Sequence, residues 1–273
     1  MTFTGGNVAL LADQAAQNLE GVRSQKPLIH NITNYVAMNT TANALLSMGA
    51  SPVMAHAVNE VEEMAAIAGA LVLNIGTLSD PWVAAMMAAG RRASLCHTPV
   101  VLDPVGAGAT RLRTRTAKEI VAGVDVTVIR GNASEILALG HADSHTKGVD
   151  AIHTVDDAAA TAKRMAGELG TTLAITGATD LVTDGQRVVS IENGHPLMAC
   201  VTGSGCAATA IVGAFLAVDD DPVSATATAL AYFGLAGEVA AEQAQAPGSF
   251  MVALLDALYT ITPEKLRFRA RIK

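Results

Sequence analysis

The segment Val201-Thr202-Gly203-Ser204-Gly205-Cys206 runs directly into Ala207-Ala208-Thr209-Ala210-Ile211. Small residues ahead of an alanine-rich run place a bare backbone turn at the start of a helix. The first N–H groups of a helix lack partners within it, and its positive dipole end faces the turn. Gly203, Ser204 and Gly205 therefore form a candidate anion hole. A plain glycine turn feeding a tightly packed helix is an equal reading of this segment alone. Gly203, Gly205 and Ala208 also fit the G-x-G-x-x-A dinucleotide fingerprint. That fingerprint needs a following strand and an acidic residue about 20 positions on. Here helix continues to Asp219-Asp220-Asp221-Pro222 and resumes after it, so nicotinamide chemistry is a weak reading. The Walker-type pattern G-x-x-x-x-G-K-[ST] does not occur, which excludes a P-loop.

Two further constellations carry oxygen and nitrogen ligands. In Leu102-Asp103-Pro104-Val105-Gly106-Ala107-Gly108-Ala109-Thr110, Asp103 ends an apolar run and the glycines after it let backbone approach a ligand. In Arg130-Gly131-Asn132-Ala133-Ser134-Glu135, Asn132 can cap a helix with Glu135 closing a capping box. The alternative is that Asp103 and Glu135 hold a magnesium ion, directly or through water. A hard cation that keeps its waters needs one or two carboxylates plus substrate phosphates. Arg130, at a strand end, can clamp a phosphate with its planar fork.

These groups need a frame that gathers them. Residues 27–30, 51–54, 70–75, 98–103, 125–129 and 171–176 read as strands apolar on both faces, with helix-like stretches such as 36–48, 58–68 and 81–95 between them. That pattern predicts a mostly parallel sheet covered by helices on both sides, an α/β three-layer fold. Asp184-Gly185 inside 182–191 signals a hairpin, and the chain from Gly205 onward is nearly all helix. Ligands of such open sheets sit beyond the carboxyl ends of the strands. The polar residues expected there are Asn31, Asn34, Met54 with His56, Asn74, Asp103, Arg130 and Thr176. No linker, charge block or repeat divides the 273 residues, so residues 1–273 read as a single domain.

Composition narrows the function classes. The chain is 51% hydrophobic and 16% charged, enough to build a core and too apolar for disorder. A net charge of −7 and an aromatic content of 3% argue against nucleic acid as a partner. Cys96, Cys200 and Cys206 are an odd set without a C-x-x-C pair, so neither a zinc site nor a disulfide framework is expected. The apolar run 207–218 is shorter than the ~20 residues a membrane span needs. The N-terminus lacks a basic region followed by an apolar stretch, so a cytoplasmic location without membrane association is expected.

His30-Asn31-Ile32-Thr33-Asn34, the stretches 102–110, 130–135 and 201–206, and the run 248–259 together resemble the ribokinase-like superfamily of small-molecule kinases. More closely, they resemble the hydroxyethylthiazole kinase family, with the motifs in the same order along essentially the whole chain. The resemblance implies ATP-dependent phosphorylation of the alcohol of 4-methyl-5-(2-hydroxyethyl)thiazole, a salvage step towards thiamine. It implies that Met54, Gly203 and Asn34 meet the thiazole, Arg130 and Thr176 meet ATP, and Asp103 and Glu135 serve magnesium. It also implies a homotrimer with active sites at the subunit interfaces. Kinases of a sugar or hydroxymethylpyrimidine, and an ATP-dependent dehydratase of hydrated nicotinamide cofactors, share the scaffold. A metabolite-binding protein on the same scaffold has no need of the Asp103 and Glu135 pair. One position departs from the wider superfamily, which ends its glycine turn in an aspartate acting as base. Here Cys206 stands there, the candidate catalytic residue; a helix N-terminus lowers a thiol's pKa, and neighbouring phosphates push it back.

Other residues read as structural. Cys96 and Cys200 are expected to be buried thiols, Trp82 a packing anchor, and Met38, Met48, Met64, Met86 and Met87 core filler. His141 and His145 have the spacing of a helical metal pair but are expected in a solvated loop.

Overall fold

The computed structural model describes residues 5–140 and 155–273, and the expectation for His141 and His145 lies outside them. The chain runs α1 (Gly5–Gln25), β1 (Leu28–Ile32), α2 (Met38–Met48), β2 (Ser51–Val53), α3 (Val61–Ile67), β3 (Ala70–Asn74), α4 (Asp80–Cys96), β4 (Val100–Asp103) and α5 (Arg111–Gly123). It continues through β5 (Val128–Asn132), α6 (Ala133–Leu137), α7 (Val155–Leu169), β6 (Thr172–Thr176), β7 (Asp180–Thr183) and β8 (Val188–Ile191). A 3-10 turn (Pro196–Cys200) leads to α8 (Ser204–Leu216), α9 (Pro222–Gln243), α10 (Pro247–Thr260) and α11 (Pro263–Arg269).

The strands described form one sheet in the order β2-β1-β3-β4-β5-β6-β7-β8. Pairing is parallel from β2 through β6, and β7 and β8 are added antiparallel. Alternation along each strand divides the core. Val72, Val101, Val128 and Ala174 pack with α1, α2, α8, α9 and α10 on one face. Leu71, Leu73, Val100, Leu102, Ile129 and Leu173 pack with α3, α4, α5, α6 and α7 on the other. Strands buried on both faces carry apolar residues at odd and even positions, which is why they read as continuous runs.

Three expectations change in detail. β5 begins three residues later than the run 125–129, because Asp125 and Val126 spend backbone hydrogen bonds on the side chains of Ser94 and Thr171. The Asp125 N–H donates to Ser94 Oγ at 2.9 Å, and the Val126 carbonyl accepts from Thr171 Oγ1 at 2.7 Å. Arg130, Gly131 and Asn132 therefore belong to the strand itself. Cys96 and Cys200 are exposed rather than buried, Cys96 because it ends α4 beside the exposed Leu95. The longest apolar helix is α9, not the run 207–218; α9 is long and apolar enough to cross a membrane by length and composition, but 94% of that window is buried inside the protein.

The hairpin of β7 and β8 turns at Asp184-Gly185, with Gly185 at φ +90. Arg187 after it joins Asp221, the cap of α9, through two bonds of 2.6 and 2.8 Å, and Asp184 at 2.8 Å. The Arg187 guanidinium holds the Asp221 carboxyl below its usual value. Burial would raise Asp184, but the Arg187 and Gln186 N–H groups and the guanidinium outweigh it and hold it low. Carboxylates with depressed values stabilise the fold above their unfolded pKa and lose that contribution as pH falls through the folded value. Arg187→Ala is thus expected to cost about 1 kcal/mol, since the pair is partly exposed. The Tm gap to wild type should be steady from about pH 5 to 8 and should close below about pH 4. A gap unchanged into acid would show that Arg187 acts by packing alone.

Candidate active site

Gly203 caps α8 in the left-handed region at φ 80, a conformation a side chain would strain. A Cβ there would stand 3.3 Å from that of Ala37, at the start of α2. The Gly205 and Cys206 N–H groups find no backbone partner among the described residues, so the head of α8 presents free donors. Arg130 lies across this turn: a Cβ on Gly205 would be 2.9 Å from its Nη1. Arg130 Nε is buried without a hydrogen-bond partner, and among the described residues the guanidinium makes no ion pair. A half-buried cation without an ion-pair partner, above free helix N–H groups, is an arrangement that an anion completes. Arg130, Thr176, Ser204 and Gly205 line one cavity of about 610 Å³, together with His195 and Phe233.

Beside the cavity a polar chain links four other expected residues, Asn34, Asn74, Asp103 and Cys206. The register of β3 on β4 sets Asn74 against Asp103 at the carboxyl edge. Asn34 Nδ2 donates to Asn74 Oδ1 at 2.8 Å, and Asn74 Nδ2 donates to Asp103 Oδ2 at 2.7 Å. Thr209 Oγ1 donates to the same Asp103 oxygen at 2.9 Å. Cys206 Sγ accepts from Asn34 Nδ2 at 3.3 Å and Asn74 Nδ2 at 3.2 Å. Burial pushes the Asp103 carboxyl up to about 6; Arg130 and Thr209 oppose this, Glu135 adds to it and Asn74 opposes it.

Burial, then the Asp103 charge, also push the Cys206 thiol above its ordinary value, and the two asparagine donors only partly offset them. In this structure, then, the helix N-terminus does not yield a low thiol pKa. A thiol held protonated is a poor base at neutral pH. Cys206→Ala is accordingly expected to lose less than about tenfold in kcat, where removal of an efficient general base costs about 10²–10⁴-fold. Steady-state turnover checks this, and a larger loss would assign the thiol a stronger role.

Glu135 is first of all a cap. Asn132 Oδ1 accepts from the Glu135 N–H at 2.9 Å, and Glu135 Oε2 accepts from the Asn132 N–H at 2.9 Å, closing the capping box. Its other oxygen accepts from the Gly106 N–H at 2.8 Å, which staples the loop after Asp103 to α6. Among the described residues no three potential metal ligands cluster. The donor set is nonetheless hard: two carboxylates, with Asp103 Oδ1 accepting no bond from described residues. Oxygen donors with spare lone pairs suit a cation that keeps most of its waters, so the residues fit magnesium held largely through water.

The expected residues thus divide into two groups that meet at the head of α8. Arg130, Thr176, Ser204 and Gly205 line the cavity, while Asn34, Asp103 and Cys206 share the polar chain. Gly203 borders Ala37, whose N–H is held by Asn34 Oδ1 at 2.9 Å. Met54 follows β2 at the same sheet edge but takes part in neither group. Near it the His56 ring stacks on Trp82 at 4.2 Å, and Trp82 is the buried anchor expected of it. Thr209 was not singled out by the sequence pattern. Its place one helical turn after Cys206 was the available signal. Asn193 and His195, which also line the cavity, sit in a loop without any periodic signature.

The fold and the site define the class: an α/β protein of ribokinase-like fold with an open glycine turn at a helix N-terminus beside the carboxyl edge of its sheet. A ribokinase-like superfamily protein from Enterococcus faecalis, 13% identical, superposes with TM-score 0.65 over 91% of this chain and 89% of its own. The chain belongs to the hydroxyethylthiazole kinase family, whose model matches residues 19–264. It is 64% identical to a hydroxyethylthiazole kinase of Desulfotalea psychrophila over 95% of each chain. A hydroxyethylthiazole kinase structure from Pyrococcus horikoshii is 47% identical and superposes with TM-score 0.87, covering 95% of this chain and 98% of that one.

Proposed function

We propose that this chain transfers the γ-phosphoryl group of ATP to the hydroxyl of 4-methyl-5-(2-hydroxyethyl)thiazole. The observation that carries the reading is the unpaired Arg130 guanidinium over the open N–H groups of α8. ATP lies in the 610 Å³ cavity, with Arg130 and Thr176 on its phosphates. The Gly203–Gly205 turn takes the charge that spreads over the transferred oxygens. Asn34, Gly203 and Met54 hold the thiazole with its hydroxyl towards Cys206. The hydroxyl oxygen bonds to phosphorus as the bond to the ADP oxygen breaks. In a loose transition state the hydroxyl proton leaves late and can pass to an oxygen of the transferred phosphoryl group, so the protonated Cys206 thiol need only sit beside the hydroxyl and no strong base is required. Asp103 and Glu135 would hold a magnesium ion largely through water, and that ion would supply charge neutralisation for the phosphates.

The enzyme is a single-domain cytoplasmic protein in this reading. Exposed Tyr35, Val36 and Val58 lie close in sequence to Asn34 and Met54 and support a homotrimer whose subunits meet at the thiazole site. An ADP-release assay with ATP and magnesium tests the function, run with the thiazole beside hydroxymethylpyrimidine and sugar alcohols. Thiazole-dependent ADP with a phosphorylated thiazole in the mass spectrum supports the reading. ADP only with another alcohol moves the specificity, and no ADP from folded protein removes the kinase function.

A further inference from the structure

Part of the wall of the nucleotide cavity comes from Asn193, Gly194, His195, Pro196 and Met198, between β8 and α8, away in sequence from the strand ends that carry the chemistry. This segment rests on α9 at two glycines. A Cβ on Gly234 would collide with the Asn193 main chain, and one on Gly237 with the Met198 side chain. Asn193 is buried and each arm of its amide is engaged. Its Nδ2 donates to Glu238 Oε1 at 3.1 Å and to the Arg269 carbonyl at 3.0 Å, and its Oδ1 accepts from the Arg271 N–H at 2.6 Å. The Gly194 N–H donates to the same Glu238 oxygen at 3.0 Å.

Glu238 is in turn gripped from the C-terminal side. Arg271 places two nitrogens on its two oxygens at 2.7 and 3.1 Å. Residues 271–273 pair with β8 as an added antiparallel segment. Ser190 and Lys273 exchange both backbone bonds at 2.8 Å, and the Glu192 N–H donates to the Arg271 carbonyl at 2.9 Å. Ile272, opposite Ile191, is buried. The family match ends at residue 264, so this grip is made by residues beyond it.

We propose that residues 269–273 clamp the wall of the nucleotide cavity, with Arg271 as a positioning residue that sets ATP affinity through Glu238 and Asn193. The inference rests on the cavity being the ATP site. A bidentate guanidinium–carboxylate pair fixes orientation as well as distance. Without it, residues 193–195 gain alternatives in the free enzyme that ATP must then select against. The phosphate groups are held elsewhere, by Arg130 and the head of α8, so the chemical step does not pass through the clamp.

The test compares wild type, Arg271→Ala and Arg271→Lys by steady-state kinetics and by calorimetric titration with a non-hydrolysable ATP analogue. Arg271→Ala is expected to raise the ATP KM and the analogue Kd together by roughly 5–10-fold, the loss of about one good charged hydrogen bond. Its kcat and its KM for the alcohol should stay within about twofold, a split that general loosening of the fold does not produce. Arg271→Lys, which keeps the charge without the fork, should recover part of the affinity. If Arg271→Ala does not fold, Arg271→Lys still reads the effect as a smaller rise confined to ATP. An unchanged ATP KM in folded variants, or equal changes in kcat and both KM values, overturns the clamp. Failure of the wild type to bind the analogue overturns the nucleotide reading instead.

Discussion

Asp103→Asn is expected to lower kcat by about 10²–10³-fold at neutral pH while the protein keeps its fold, the scale of one lost charge-stabilising group at a reacting centre. The amide is nearly isosteric with the carboxyl. An asparagine oxygen can accept the bonds that Asn74 and Thr209 now give to Oδ2. Its amino group then stands where Oδ1 faces the site, and the negative charge is gone. The direction of the stability change follows from the titration. A carboxyl raised to about 6 by burial is one whose charge the folded state disfavours, so its ionisation weakens the fold above that pH. The neutral amide removes that penalty, and Tm at pH 8 should be equal to or above wild type. A stable, inactive variant assigns the charge to phosphoryl transfer. Retention of more than about a third of kcat would take Asp103 out of the charge-stabilising role.

The second large effect concerns Arg130 and the glycine beneath it. Arg130→Ala is expected to lower kcat/KM for ATP by about 10²–10³-fold, because its guanidinium lies over Gly205 with its buried Nε unpartnered and, in the proposed function, meets the phosphates there. Gly205→Ala should approach that loss although it keeps the backbone N–H. Gly205 does not have the positive φ of Gly203, so alanine is conformationally acceptable there. Its methyl group would stand 2.9 Å from Arg130 Nη1, and the flexible end of the arginine must give way. Tm should therefore change little while activity falls. In the double variant the losses should overlap rather than multiply, since both act through one guanidinium. Full multiplication would mean that Gly205 contributes by a route independent of Arg130.

The parallel sheet, its helices and the hairpin at Asp184-Gly185 were legible because burial on both faces leaves continuous apolar runs and a turn needs its glycine. Gly203 to Cys206 could be recognised for the same local reason: a helix start must leave its first donors open. The readings of Asn132 and Glu135 as cap or metal group could not be separated from residue types. The structure shows the cap complete, with each Glu135 oxygen accepting a backbone N–H.

Local rules act through neighbours along the chain, so they could identify the strands, the glycine turn and the polar residues at the strand ends. Which of those residues touch is a matter of strand order and register, set by packing across the whole sheet. The pairing of β3 with β4 brings Asn74 to Asp103, although they are 29 positions apart. The head of α8 then delivers Cys206 and Thr209 to the same pair from more than a hundred residues away. The pKa of Asp103 and the thiol character of Cys206 follow from that burial and not from their sequence neighbours. The hold of Arg271 on Asn193 is of the same kind, since a pairing between chain segments 78 positions apart leaves no periodic trace in either one.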